Sequence, residues 1–428
     1  MASESQKSLW WHTAGPPPQM QSLDGDVDAD VAIVGGGYVG LTAALHLVGR
    51  GVRVAVLEAE RVGAGASGLN AGFVVPNFAK ADPAATIARL GEARGRALLD
   101  LVGRGGDRVF ETIRHRRIAC DAAQTGWLQP AHTSAAEAAR ARVDLWQSLG
   151  RPVEFVSGRE VTRLTGMAND HGAVLDRSGG TIQPLSYLRG LARAAMEGGA
   201  RIYERAPVTS AQPEGTRWRL DCGGPAVTAD NVLLCTNAAA LGVGRRLARA
   251  IVPLPVYQIA TEPLPAETAQ RIAPERLPVS DMRGNLFTYR LDCDDRLISG
   301  GMAAVPIGAH QRMARAIAAR LARELRLPQV PKVAFVWRGV AAMTTDFLPH
   351  LYELGSGLVG AIGCNGRGIA MTAMLGEVLA DAAMGTPLAD LPVPTAPPSA
   401  VPLRPLAGIA ASAVLLHARW QDWRVGAG

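Results

Sequence analysis

The chain has 428 residues, 48% apolar and 19% charged, enough to build substantial cores and too apolar for a disordered polymer. At roughly 150 residues per domain, this length accommodates two or three structural units. Lysine and arginine total 44 against 38 acids, a net charge of +6, but the arginines are scattered and only Lys7, Lys80 and Lys332 are lysines, so the charge reads as compositional bias rather than a nucleic-acid surface.

Residues 1–27, with Trp10, Trp11 and Pro16-Pro17-Pro18, read as a leader that drapes over a body formed elsewhere. Met1–Ser8 lacks an apolar signal core, no apolar stretch is long enough to span a bilayer, and the five cysteines are odd in number and far apart. The expectation is a reduced, cytoplasmic protein with no disulfide framework and no metal site.

From Asp30 to Val34 a short β-branched run meets glycines, then an apolar helical stretch through Val48, then a second buried strand, Val52–Leu57. Helical texture follows over 84–117 and over 134–149, the latter with Ser134 as N-cap and Glu137 three residues on. Strands are expected at 126–130, 200–203 and 231–235, with a helix at 184–198. Segments 251–262, 285–291 and 296–302 read as an antiparallel sheet, followed by a helix at about 310–325. Strands at 333–337 and 358–362 precede a helix at 369–383. Pro387–Pro405 is a proline-rich linker, and Leu406–Arg424 forms a last apolar helix.

The strongest local signal is Gly35-Gly36-Gly37-Tyr38-Val39-Gly40, placed directly after a strand and opening a helix. Gly35 permits the tight turn, Gly37 lets the backbone approach a pyrophosphate, and Gly40 lets helix pack on strand. The helix N-terminus offers free N–H groups to phosphates. Glu58, at the end of the second strand, is placed to accept ribose hydroxyl hydrogen bonds. This pattern predicts dinucleotide binding. A nicotinamide dehydrogenase is the competing reading, and it leaves the small-residue segment Gly63–Gly72 unexplained.

That segment, with Gly65-Ala66-Ser67-Gly68-Leu69-Asn70-Ala71-Gly72, resembles the stretch lying along the flavin in FAD-dependent oxidoreductases of the D-amino-acid oxidase/glycine oxidase type. Three further blocks are similar to that family: Gly363-Cys364-Asn365-Gly366-Arg367-Gly368-Ile369-Ala370; Trp337-Arg338-Gly339 with Thr344, Thr345, Asp346, Leu348 and Pro349; and Phe287–Arg290 with Arg296–Gly301. Within the family the chain looks most similar to a γ-glutamylputrescine oxidoreductase-like branch. The resemblance implies an α/β fold, in which a Rossmann-type, mostly parallel FAD-binding domain (28–90, 150–245 and 335–386) carries an inserted mixed or antiparallel substrate domain (91–149 and 246–334). Residues 387–428 would then be linker and C-terminal helix.

By the same resemblance the FAD-binding residues are Gly35, Gly37, Tyr38, Val39, Gly40, Glu58, Ala66, Ser67, Asn70, Ala71, Gly72, Val208, Thr236, Asn237, Gly363, Asn365, Gly366, Arg367, Gly368 and Ile369. The glycine-rich turn before the helix at 369 would present backbone N–H groups to the negative edge of reduced flavin, with Arg367 adding a charge. Covalently flavinylated family members carry a cysteine on the strand before the T-x-D-like turn. Trp337–Thr345 has none, so noncovalent FAD is expected. Cys364 reads as a packed thiol and His350 as a turn residue.

The implied reaction is oxidation of a C–H bond next to an amine nitrogen by hydride transfer to flavin N5, giving an imine that water hydrolyses. Tyr257, Tyr289, Arg290 and Arg367 are the candidates for holding the substrate. Simple amino-acid oxidases of the family carry an arginine one position before Arg367, where this chain has Gly366. This departure leans toward an amine or an N-substituted amino acid. Scarce lysines leave both oxygen and a quinone open as acceptor, and the tail with Arg419, Trp420, Trp423 and Arg424 either touches a membrane surface or packs on the body. A flavin-binding protein without turnover is the remaining alternative.

Overall fold

A computed structural model describes residues 3–132, 135–239, 242–305, 307–397, 399–401 and 407–424. The expected cap at Ser134 lies outside the described residues. Two large sheets organise the chain. In the first, strand Val27–Val34 is flanked by Val54–Leu57 and Ala226–Leu234, all parallel, because buried crossovers bring each strand back in the same direction. Arg201–Tyr203 extends one side in parallel, Leu358–Ile362 the other, and His350–Gly355 adds an antiparallel edge. Their near-continuous apolar sequences follow from burial on both faces.

Helices Tyr38–Val48 and Gly368–Ala383 pack together over this sheet. A Cβ at Gly376 would sit 2.6 Å from the Thr42 Cβ, so glycine sets the close approach. Helix Glu92–His115 crosses the same layer, with Gly105 against the Ala370 carbonyl.

The second sheet has the order Val333–Met343, Val252–Pro263, Arg296–Met302, Thr288–Leu291, Val279–Ser280, Trp127–Pro130, Ala173–Asp176, Val153–Val156. Its pairings are antiparallel except that of Val279 with Leu128. The expected α/β fold, a mostly parallel unit with a mixed second sheet, is present. The expected boundaries shift. Strands 153–156 and 173–176 join the second sheet although they fall within 150–245, and strand 333–343 joins it although most of it falls within 335–386, whereas helix Glu92–His115 packs into the first unit's core. Strand periodicity reports which face of a strand is buried and not which sheet receives it.

The N-terminal leader is corrected outright. Glu4–Lys7 and Leu9–Thr13 are helical, capped by the Ser3 and Ser8 hydroxyls, and Leu9 and Trp10 are 1% exposed. Trp10 meets Trp337 edge to face at 5.8 Å, so this segment is a wedge between the two units. The proline-rich tail is likewise anchored: Leu391 and Val393 are buried, and Thr395 bridges to Leu351.

Candidate functional site

The parallel strands Val27–Val34, Val54–Leu57, Ala226–Leu234 and Leu358–Ile362 all end on one edge of the first sheet, and the glycine-rich segments follow directly from those ends. This is the crevice where open α/β sheets bind ligands. The first turn is tight: Gly35 has φ +111°, and a Cβ there would lie 2.8 Å from the Cys235 carbonyl oxygen. At Gly40 a Cβ would lie 2.1 Å from the Gly35 carbonyl oxygen, closing the helix onto its own entry turn.

Glu58 accepts hydrogen bonds from the backbone N–H groups of Gly36 (2.8 Å) and Glu60 (3.0 Å). Burial raises its pKa above the ordinary glutamate value, and those two bonds partly oppose the shift. The 63–72 segment lies on the same turn: the Ser67 hydroxyl accepts the Tyr38 N–H at 3.1 Å and would be 3.0 Å from a Cβ at Gly37. Asn70 holds the segment's shape, receiving the Gly72 N–H and donating to the Ser67 carbonyl. Ala66 is exposed and Ala71 half-buried beside these turns.

Thr236 and Asn237 (φ +48°) follow the third strand end, and the Thr236 Oγ1 is buried with no hydrogen-bond partner. Val208 packs in the adjoining core. At the fourth strand end Asn365 accepts from the Thr344 N–H at 2.8 Å and donates to the Gly363 carbonyl, fixing the 363–368 turn to the end of strand Val333–Met343. Gly366 (φ +84°) and Arg367 then lead into the helix at Gly368, where Ile369 is buried. Tyr38 and Val39 contribute backbone at the helix start. The Tyr38 ring is packed against Tyr187 and its hydroxyl donates to the Pro184 carbonyl.

The residues fit FAD. A Cβ at Gly37 would crowd the Ser67 hydroxyl at 3.0 Å, Glu58 is an acceptor at the second strand end, and the buried Thr236 hydroxyl lacks a partner at the same edge. The Cys364 thiol is raised above its usual pKa by burial, as is Cys235, to about 12, which keeps both protonated.

The second sheet meets this edge through one face. Strand pairing puts Gln258, Gly300 and Trp337 side by side, and Trp337 donates its indole N–H to the Leu69 carbonyl at 2.9 Å. Arg290 donates to the Gly72 and Ile182 carbonyls at 2.7 and 2.8 Å with Trp10 over its guanidinium. Burial lowers its pKa to about 10, so it stays charged, and its bonds pin the 63–72 loop. Tyr257 and Tyr289 are corrections. Both sit on the opposite face: Tyr289 is fully buried and donates to the Thr165 and Ile272 carbonyls, and Tyr257 packs edge to face on His310. Alternation along a strand decides this, and one residue of parity moves a side chain to the other side of the sheet.

Arg367 is half-buried with its guanidinium 5.1 Å from the Trp127 ring centroid. Sequence reasoning missed Trp10, Trp127, Arg142 and Gln258, which become neighbours of the motifs only in three dimensions. The Gln258 Oε1 is buried without a partner, its amide lying where a Gly300 side chain would be. His350, expected in a turn, opens strand His350–Gly355 and bonds Asp346 at 3.0 Å, and Asp346 also pairs with Arg89.

Residues 30–382 match the family model described as FAD dependent oxidoreductase. The chain is 29% identical over 386 residues to the γ-glutamylputrescine oxidoreductase of Escherichia coli (strain K12), covering 90% of each chain. It is 27% identical over 366 residues to the glycine oxidase of Geobacillus kaustophilus (strain HTA426), covering 82% of this chain and 92% of the other. Among solved structures it is similar in fold to glycine oxidase from Geobacillus kaustophilus, with TM-score 0.70, 22% identity and coverage of 85% and 96%. L-proline dehydrogenase from P. horikoshii aligns with TM-score 0.72 at 18% identity, covering 86% and 96%.

Proposed function

The chain belongs to the family of FAD-dependent oxidoreductases, and we propose that within it this enzyme oxidises the C–N bond of an amine or an N-substituted or D-amino acid. FAD, held noncovalently by the turns at 35–40, 63–72, 236–237 and 363–369, would supply the hydride acceptor, and water would hydrolyse the resulting imine. The observation that carries the reading is the junction of the two sheets: the flavin-type loop is tied to the second sheet by Trp337–Leu69 and Arg290–Gly72, leaving Trp127, Gln258 and Arg367 at its margin. These side chains orient a small substrate and exclude water, which is most of what this chemistry asks of a protein. Relatives named for γ-glutamylputrescine and glycine support an amine or amino acid as substrate class.

Purified protein should be yellow, and anaerobic addition of polyamines, γ-glutamyl amines, N-alkyl amino acids and D-amino acids in turn should bleach the flavin with one class. A preparation that refuses FAD, or a flavin that no amine reduces, would overturn the proposal. A second reading, a quinone-linked dehydrogenase at a membrane surface, draws on helix Ala407–Arg424. Leu416, Trp420 and Trp423 repeat at helical spacing and are 55%, 49% and 72% exposed. Reoxidation of the reduced protein by a soluble quinone but not by oxygen, with sedimentation on phosphatidylglycerol vesicles, would favour it. Among the described residues no helix is long and apolar enough to cross a membrane.

A further inference from the structure

The net charge of +6, which the residue order presents as scattered arginines, is gathered by the fold. Two helices distant in sequence meet at the loop 282–286. The Asp422 carboxylate of helix Ala407–Arg424 accepts the Gly284 and Asn285 N–H groups at 3.1 and 2.8 Å. Arg320 of helix Ala309–Glu324 donates to the Asn285 and Leu286 carbonyls at 2.8 and 3.0 Å. Arg419 also donates to the Met302 carbonyl and Arg312 to the Val305 carbonyl, so the stretch after strand Arg296–Met302 joins the same assembly.

Segments 282–286, 302–324 and 407–424 together hold seven arginines and two acids, a surplus of five in a chain whose whole surplus is six. Both acids are turned inward: Asp422 is buried on the loop, and Glu324 pairs with the buried Arg283. Arg312, Arg315, Arg323 and Arg424 are exposed, so every exposed charge of these segments is cationic. Beside them stand Ile307, Trp423 and Val414, at 82%, 72% and 68% the three most exposed large apolar side chains among the described residues. Val305, Leu416 and Trp420 are exposed on the same two segments. Apolar side chains clustered in water mark an interaction surface.

Charge and polarity separate the occupants of such a face. A second copy of this chain would bring identical patches together in a symmetric pair and set arginine against arginine. Nucleic acid would match the charge but leave Ile307, Val414 and the two tryptophans in water. An anionic bilayer matches both: lipid phosphates meet the arginines, while indole and aliphatic side chains enter the headgroup boundary. We propose that this face docks on the surface of a bilayer containing anionic lipid. The docking surface extends the membrane-surface reading of helix Ala407–Arg424, on which it rests, to Val305, Ile307 and the arginines of helix Ala309–Glu324. Helix Ala407–Arg424 lies beyond residues 30–382, which match the family model, so much of the apolar surface is carried by a segment outside the shared fold. The face also neighbours the crevice. The Met282 N–H donates to the Pro130 carbonyl, at the end of the strand whose Trp127 ring lies against Arg367. Docking therefore brings the margin of the crevice next to the headgroup layer.

The test uses the full chain loaded with FAD and two vesicle preparations, phosphatidylcholine alone and phosphatidylcholine mixed with phosphatidylglycerol. Co-sedimentation should be at least tenfold stronger with phosphatidylglycerol present, and should weaken as salt is raised. Trp420→Gln combined with Trp423→Gln should cut that binding at least tenfold. Arg312→Gln combined with Arg315→Gln, on a different element, should do the same. Retained flavin and an unchanged Tm report that each variant is folded. Where one pair fails to fold, the other pair and the wild-type comparison still decide. Equal binding to both vesicles, binding to neither, or binding that survives both pairs of substitutions would overturn the proposal. So would a concentration-dependent dimer of the lipid-free protein that the tryptophan pair abolishes, read by analytical ultracentrifugation. Tighter capture of duplex DNA than of the anionic vesicles would overturn it as well. The quinone-linked reading fails separately. Docking without reoxidation by a soluble quinone removes that reading and leaves the docking surface, and reoxidation without docking does the reverse.

Discussion

Glu58 shows how one carboxylate can be assigned a task from its bonds. The Gly36 and Glu60 N–H groups each donate to one of its oxygens, and each oxygen keeps acceptor capacity for a further donor. Glu58→Ala is therefore expected to weaken FAD binding by about 1–3 kcal/mol, roughly 5- to 150-fold, in a fluorescence titration of apoprotein; unchanged affinity would remove its ribose role. Because burial raises the Glu58 pKa, FAD retention should fall on acidification at a higher pH than an ordinary glutamate would give. Asp176 is a structural counterpart. It is 4% exposed and accepts the Ser178 N–H and hydroxyl, and burial raises its pKa to about 6. The folded state thus holds this proton more tightly than the unfolded chain, so stability declines as pH rises from about 4 to 6 and stays lower above that window. Asp176→Asn keeps both acceptor contacts, and should raise stability at pH 7 by about 2 kcal/mol while flattening that stretch of the pH profile, measured by urea unfolding.

At the scale of elements, the leader segment matters most. Trp10 donates its indole N–H to the Asn70 carbonyl, lies over Arg290 and packs on Trp337, while the Gln183 amide donates to the Trp10 carbonyl. Glu4 accepts from the Arg338 N–H and pairs with His310, so the two short helices staple the flavin-type loop to the second sheet. Trp10→Ala should cost about 3–5 kcal/mol and release FAD faster, read as a lower Tm and as free flavin after gel filtration. Helix Tyr38–Val48 is constrained from the other side. Gly40→Ala forces a Cβ into the Gly35 carbonyl, and a cost of about 1–3 kcal/mol with loss of bound FAD is expected. A yellow, fully stable Gly40→Ala protein would mean that the entry turn relaxes.

At the scale of the whole molecule, the chain passes back and forth between the two sheets, and neither sheet is built from one continuous segment. Removal of FAD should therefore lower one shared transition by a few degrees rather than melt one unit first, since a ligand at about a hundred times its Kd adds roughly 2.7 kcal/mol to the folded state. Calorimetry with and without FAD checks this, and two separated transitions would contradict the coupling. The legible parts of the site are the contiguous ones. Gly35–Gly40 and Gly63–Gly72 carry their function in consecutive backbone, so the turn and its close approaches are visible in the residue order itself. Trp127, Arg142 and Arg367 lie on three elements far apart in sequence, and nothing in the spacing of one refers to the others. Tyr257 and Tyr289 were legible as strand residues but not by side, because the register that decides the face comes from partner strands.

The sequence by itself determined the strand–helix–strand start, the dinucleotide turn and the flavin-type loop, since these depend on local φ, on the absence of a Cβ and on apolar periodicity. Only the tertiary structure decided which sheet receives each strand and which face of a strand meets the crevice. It also decided that the N-terminal tryptophan is a core wedge, and that Arg367 lies against the Trp127 ring. Burial and charge pairing are properties of what surrounds a residue, and those surroundings are assembled from segments distant along the chain.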